Sequence, residues 1–221
     1  ARRGKLRSYG VLLHDKNREA NILALHETLK NHTFKNSEYS TFTIYEPKER
    51  IIFRLPYYPD RILHHAIMNI LEPIWVSVFT KDTYSCIKGR GIHGAMRKFY
   101  PSIDHDVLKT IIRRKIKCKD TLALLDTIID STDGVPIGNY LSQYFANLML
   151  AYFDHWIKEE KRVRYYFRYA DDMVFLASTK EELHILLADI KKYLAALKLT
   201  LKGNEQIFPI AENRADKHGR G

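Results

Sequence analysis

The sequence predicts an α+β fold, an antiparallel sheet backed by helices, and three observations carry that expectation. Val163, Tyr165, Phe167 and Tyr169 alternate with Arg164, Tyr166 and Arg168, and a short apolar run from Met173 to Ala177 follows, so the segment reads as a β-hairpin. Long helical patterns stand before and after it. The C-terminal half therefore runs helix, hairpin, helix, strand, with Asp171 and Asp172 at the hairpin tip.

Taken in order, the first 45 residues are rich in Lys, Arg, Asn and His, with patchy helical spacing from Asp15 to Leu29. They read as an N-terminal helical extension. Phe42 to Leu55 is β-rich and broken by Pro47-Lys48-Glu49-Arg50, which predicts a hairpin carrying cations at its tip. Asp60 opens a helix whose stripe is Ile62, Leu63, Ala66, Ile67, Ile70 and Leu71, with Pro73 marking its end. Gly89, Gly91 and Gly94 cluster with Lys88 and Arg90 in a basic turn that has no Walker spacing. Val107 to Ile129 is mainly helical. A second long helix follows Asn139, with Leu141, Tyr144, Phe145, Leu148, Tyr152, Phe153 and Trp156 on a broad apolar face. Ser178-Thr179-Lys180-Glu181-Glu182 offers a capping box for a third helix, whose stripe is Leu183, Leu186, Leu187, Ile190, Leu194 and Leu197. No internal repeat or low-complexity segment is evident.

At 221 residues, 45% hydrophobic and 28% charged, the chain is long enough for a substantial core and has a globular balance. Thirty-six Lys and Arg against 26 Asp and Glu give a net charge of +10. A polyanionic partner follows naturally, because neutralising phosphates with counterion release dominates nucleic-acid affinity. Cys86 and Cys118 form no Cys-x-x-Cys pair, which argues against a disulfide framework or zinc ribbon and fits a reducing cytosol. No apolar run approaches the ~20 residues of a membrane span. His64-His65 lacks a zincin spacing and reads as helix surface or core.

The Asp171-Asp172 pair is the chemically expensive feature. Adjacent carboxylates repel, and each raises the other's pKa unless a cation compensates. A turn that merely closes a hairpin would explain an isolated Asp-Asp. With Tyr169 before the pair and hydrophobic strands on both sides, a divalent-metal site for phosphoryl transfer is the better explanation.

At Tyr169-Ala170-Asp171-Asp172 the chain resembles the reverse transcriptases, whose signature is a Tyr-Xaa-Asp-Asp hairpin. Gly134-Val135-Pro136-Ile137-Gly138-Asn139-Tyr140-Leu141-Ser142-Gln143 is similar to the segment that reads Pro-Gln-Gly and then Ser-Pro in bacterial group II intron and retron enzymes. Ile137 replaces the Gln here, and Gln143 the Pro, a form that resembles the enzymes of diversity-generating retroelements. Phe99 to His105 resembles the end of the family's first catalytic motif. Lys48-Glu49-Arg50-Ile51-Ile52 with Pro59-Asp60-Arg61 resembles its fingers segment.

That resemblance implies a right-hand polymerase with fingers (46–98) and palm (99–221) after the extension (1–45), and with the thumb absent. It implies RNA-directed DNA polymerase activity, a nucleotidyl transfer on RNA template, DNA or RNA primer and dNTPs. Two Mg²⁺ ions, replaceable by Mn²⁺, would be held by Asp171 and Asp172. Tyr100 would lie under the incoming sugar, and Lys48, Arg50 and Arg54 near the triphosphate, although alternation is expected to keep the three from all facing inward. Ile137, Gly138 and Gln143 would adjoin the nascent base pair, and Lys202 would protonate the leaving pyrophosphate. An accessory protein, no membrane, and a bacterial cytoplasmic location complete the expectation. Asp104 and Asp106 are structural or exposed in the family register.

One departure matters. The register of the first motif places an Asp at position 95, which is Ala95. Either the chain is an inactive relative, or a stretch of about 20 residues, by ordinary element lengths, is missing near 95–97; the abrupt join of Gly91-Ile92-His93-Gly94 to Arg97-Lys98-Phe99-Tyr100 favours the second. Low-fidelity synthesis for a diversity-generating retroelement is the leading expectation. A group II intron-type enzyme with maturase activity, an inactive RNA-binding palm scaffold and a template-independent defence polymerase are the alternatives.

Overall fold

A computed structural model describes residues 4–45, 49–81, 83, 99–202, 205 and 207 of the chain. It combines helices with two small antiparallel sheets, each of two strands. The Gly89–Gly94 turn, Lys48 and the expected break near 95–97 lie outside the described residues.

Helices α1 (Tyr9–Lys16) and α2 (Arg18–Lys30) meet at Asn17 and lead to the first hairpin, β1 (Ser40–Ile44) and β2 (Arg50–Arg54). Phe42 pairs with Ile52, Ile44 with Arg50 and Ser40 with Arg54. Little of this hairpin is buried, so a few anchors hold it. The Phe53 N–H donates to the Ile137 carbonyl at 2.8 Å, and the Tyr39 ring meets Phe53 edge-on at 5.8 Å. The Tyr39 hydroxyl joins Ser131 Oγ at 3.1 Å and accepts from Asn139 Nδ2 at 3.1 Å.

Helix α3 runs Ile62–Val76, past the proline expected to end it. Pro73 removes one N–H, but the Ser77 N–H still reaches the Pro73 carbonyl at 3.2 Å. Trp75, fully buried against Tyr144 and Phe145, anchors the extra turn. The buried stripe is also rotated from the expected one. Leu63, His64, Ile67, Met68 and Leu71 face inward, whereas Ala66 and Ile70 are exposed. The segment 107–129 is two helices, α4 (His105–Arg113) and α5 (Lys119–Ile129). Asp104 caps the first, accepting from the Val107 N–H at 3.0 Å, and pairs with Lys198 at 2.7 Å.

Helix α6 (Tyr140–His155) is the central beam, buried nearly all round, as a helix inside a core must be. Its burial takes in Asn147 and Asp154, whose polar groups need partners away from water. Strands β3 (Tyr165–Tyr169) and β4 (Asp172–Leu176) lie against it, and α7 (Lys180–Ala196) packs alongside through Tyr193, which meets Trp156 at 4.7 Å and Phe153 at 5.4 Å. The capping box of α7 forms as its sequence predicts. Thr179 Oγ1 accepts from the Glu182 N–H at 3.1 Å, and the Glu182 carboxylate accepts from the Thr179 N–H at 3.3 Å.

Burial holds the His64 imidazole down to about 4, with Asp60 opposing the shift, and its Nε2 has no hydrogen-bond partner among the described residues. Because the folded value lies below the unfolded 6.5, protonation favours the unfolded chain. Stability is intact above pH 6.5 and lost as pH falls toward 4, by about 3 kcal/mol in total. His64→Leu is expected to flatten that decline, measured as urea unfolding free energy at pH 7, 5 and 4. Equal declines in variant and wild type would remove His64 from the acid sensitivity.

Candidate active site

Along β3 the inward-facing residues are Tyr166 and Arg168, while Tyr165, Phe167 and Tyr169 point out. Buried guanidinium is costly unless fully paired. Arg168 meets that condition with a fork on Asp154, Nε to Oδ1 at 2.7 Å and Nη2 to Oδ2 at 2.6 Å. Its Nη1 donates to Asn147 Oδ1 at 3.2 Å and to the Ala170 carbonyl at 2.7 Å. Tyr166 OH at 2.6 Å and Thr83 Oγ1 at 2.9 Å complete the acceptance by Asp154. Burial works against the charge on Arg168, yet the Asp154 carboxylate outweighs it and raises the guanidinium pKa. Burial and the same carboxylate hold the Tyr166 hydroxyl far above its usual range, so it remains a donor.

This network fixes the turn that carries the two acids. Tyr169 pairs with Asp172, leaving Ala170 and Asp171 as a two-residue loop. Ala170 takes φ 52°, a left-handed conformation costing a non-glycine residue roughly 1–2 kcal/mol. The Arg168 Nη1 bond to its carbonyl opposes that cost and ties the loop to α6. Asp171 and Asp172 are both half-buried at the tip. Two carboxylates suit Mg²⁺, which binds through one or two carboxylates plus waters and substrate phosphates. Among the described residues no group of three or more His, Cys, Asp or Glu could hold a metal, so a bound ion would draw its remaining oxygens from elsewhere.

A second group gathers where α6 begins. Gly138 adopts φ +114°, and a Cβ there would meet the Phe53 carbonyl oxygen at 2.7 Å and Ile52 Cγ2 at 2.9 Å. Only glycine lets the segment approach β2 this closely. With the Ile137 carbonyl bonded to Phe53, the Ile137-Gly138 pair joins the first hairpin directly. Tyr100 is brought near the same loop. Its carbonyl accepts from the Val135 N–H at 2.9 Å, and a Cβ on Gly134 would meet Pro101 O at 2.5 Å.

The finger cations need a correction. Arg50 and Arg54 share parity with Ile52, and the register places all three on one face of the hairpin, so alternation does not separate them. Both are exposed. Gln143 is exposed on α6, and Lys202 is half-buried just after Leu201. Sequence reasoning missed Asn147, Asp154, Tyr166 and Arg168 as site-builders. The available signal was an acid on an otherwise apolar helix and an arginine within a β-run beside the acidic pair.

Comparison with known proteins places this geometry. Protein YkfC of Escherichia coli (strain K12) is 23% identical over 236 aligned positions, which take in 75% of this chain and 62% of that protein. The chain therefore spans about 62% of the length of that curated relative. Residues 46–204, which include β2, the Ile137-Gly138 contact and the Asp171-Asp172 turn, match the sequence model of the family described as reverse transcriptase (RNA-dependent DNA polymerase), and the chain belongs to that family.

Proposed function

We propose that the chain is a fingers-and-palm polymerase that copies RNA into DNA, with a primer 3′-hydroxyl attacking the α-phosphate of a dNTP and pyrophosphate leaving. The observation that carries this reading is the Asp171-Asp172 turn, held to α6 through Arg168 and Asp154 within the family match. Asp171 and Asp172 would hold two Mg²⁺ ions. When bound, such ions lower the charge on the phosphates and activate the attacking oxygen. Arg50 and Arg54, on one face beside Gly138, suit a triphosphate, and guanidinium forks match phosphate oxygens. Tyr100 would lie under the sugar, Gln143 beside the base-pair site, and Lys202 would be the acid for pyrophosphate, with Lys48 joining the cations.

The test is extension of a DNA primer annealed to RNA, with dNTPs and Mg²⁺ or Mn²⁺. A ladder of products is expected. RNA binding without any extension would favour the inactive scaffold instead. A missing stretch near 95–97 is read from the abrupt join of Gly91-Ile92-His93-Gly94 to Arg97-Lys98-Phe99-Tyr100.

Ile137 supports the low-fidelity, diversity-generating reading over the group II intron one. Its side chain offers shape but no hydrogen bond where related enzymes carry an amide. Ile137→Gln is expected to raise fidelity several-fold, the range that one hydrogen bond of roughly 0.5–1.5 kcal/mol supplies. Misincorporation per template base at equal extension measures it. An unchanged error spectrum would make Ile137 a packing residue.

A further inference from the structure

A seam of buried polar atoms beside α3 takes no part in the chemistry above. Among the described residues, four buried side-chain atoms have no hydrogen-bond partner, and three of them, Asn36 Oδ1, Asp60 Oδ2 and His64 Nε2, fall in this seam. Asp60 and His64 stand one helical turn apart, and Asn36 precedes Ser37, whose N–H donates to Asp60 Oδ1 at 2.9 Å. Asp60 is 0% exposed and His64 2%. Polar atoms so deep are costly to leave unbonded, and a concentration of them in one place marks where an internal partner binds.

His64 also lines a cavity of about 10 Å³, measured as the space open to the centre of a water, which is room for one molecule. Tyr39, Asn139 and Ser142 supply its other polar side chains. The Tyr39 hydroxyl cannot serve His64, because it is saturated. It accepts from Asn139 Nδ2 at 3.1 Å and from Asn36 Nδ2 at 3.4 Å. Its own hydrogen goes to Ser131 Oγ at 3.1 Å, since the Ser131 hydrogen is taken by the Ile128 carbonyl at 2.6 Å. The Ser142 hydroxyl and the Asn139 amide oxygen remain as wall groups that a bridging molecule can bond. An apolar occupant would leave His64 Nε2 unbonded, and the volume excludes anything larger than water. Near neutral pH the buried imidazole is uncharged, its pKa held to about 4, so Nε2 can give a hydrogen bond to water or accept one.

We propose that this cavity binds one structural water, bonded to His64 Nε2 and bridging to Ser142 and Asn139 at the start of α6. Its walls come from separate pieces of chain: Tyr39 before β1, His64 on α3, and the stretch from Gly134 to Ser142 that carries Ile137 and Gly138. The water ties α3 to that stretch, and His64 is a positioning residue for the loop that meets the first hairpin. A high-resolution crystal structure of the protein should show a single water about 2.7–3.2 Å from His64 Nε2. His64→Leu should lose it, and His64→Gln, which keeps a polar end, should retain it. Hydrogen exchange near neutral pH supplies the solution test, because the Phe53 N–H donates to the Ile137 carbonyl and reports on the loop. Its exchange is expected to quicken about three-fold to ten-fold in His64→Leu and to stay within about two-fold of wild type in His64→Gln. The Leu199 N–H, bonded to the Leu194 carbonyl at the end of α7, is the remote reference and should not change. A well-ordered cavity without water density, a cation in its place, or an unmoved Phe53 in His64→Leu would overturn the proposal. So would equal quickening at Phe53 and Leu199, which would mean a general loss of stability with no local tie.

Discussion

Asp171→Asn is expected to reduce metal-dependent primer extension on RNA on the order of a hundred-fold or more, with RNA affinity changed less than about two-fold. The substitution keeps shape and removes charge at the second residue of the turn, whose first residue, Ala170, is held by Arg168. RNA affinity rests on phosphate contacts spread over many cations, so the loss of one acid leaves it nearly intact. Asp172→Asn should also impair extension. Single-turnover extension at saturating template, alongside anisotropy with the same RNA, measures both effects. Residual extension within a few-fold of wild type in the Asp171 variant would refute the ligand assignment.

The second large effect falls on stability. Asp154→Asn leaves the fully buried Arg168 guanidinium without its counter-charge, and breaking such a pair costs about 3–5 kcal/mol. For a chain of this size each kcal/mol shifts the melting temperature by about 2–4 °C, so a fall of roughly 6–20 °C is expected. Replacing the group together, Asp154→Leu with Tyr166→Phe and Arg168→Met, should recover most of that loss, because no buried charge then remains. Thr83 keeps Thr80 as a hydroxyl partner at 3.2 Å. Extension should stay depressed in the triple variant, since the Ala170 carbonyl has lost its donor. Full activity in that variant would show that the network supports the fold without positioning the turn.

Much of this was legible in the sequence. The hairpin of β3 and β4 with its acids at the tip, the span of α6 and the capping box of α7 all follow from local pattern, and local pattern is what one chain displays. What the pattern conceals is its sense. Alternation from Val163 to Tyr169 is plain, but hydrophobicity would bury Tyr165, Phe167 and Tyr169, whereas Tyr166 and Arg168 are the residues inside. Asp154, fourteen positions upstream of Arg168, decides this, and only the fold brings the two together. Pro73 misleads for a similar reason, because the burial of Trp75 outweighs the local cost of a proline in the last turn. For the finger cations the signal was present. Arg50 and Arg54 differ by an even number and must share a face of a regular strand.

The bonds from Tyr39 to Ser131 and Asn139 join residues 92 and 100 positions apart. Those partners do not exist when the first hairpin leaves the ribosome. At about 5–20 residues per second, the chain must grow for about 4–17 s before Asn139 can arrive. During that interval β1 and β2, with Phe42 and Ile51 about half exposed even in the finished fold, have no loop to dock against. The N-terminal segment is therefore a nascent-chain liability whose duration is set by translation speed between codons 54 and 139, and slower elongation there lengthens the time in which two unfinished copies can pair through their strand edges.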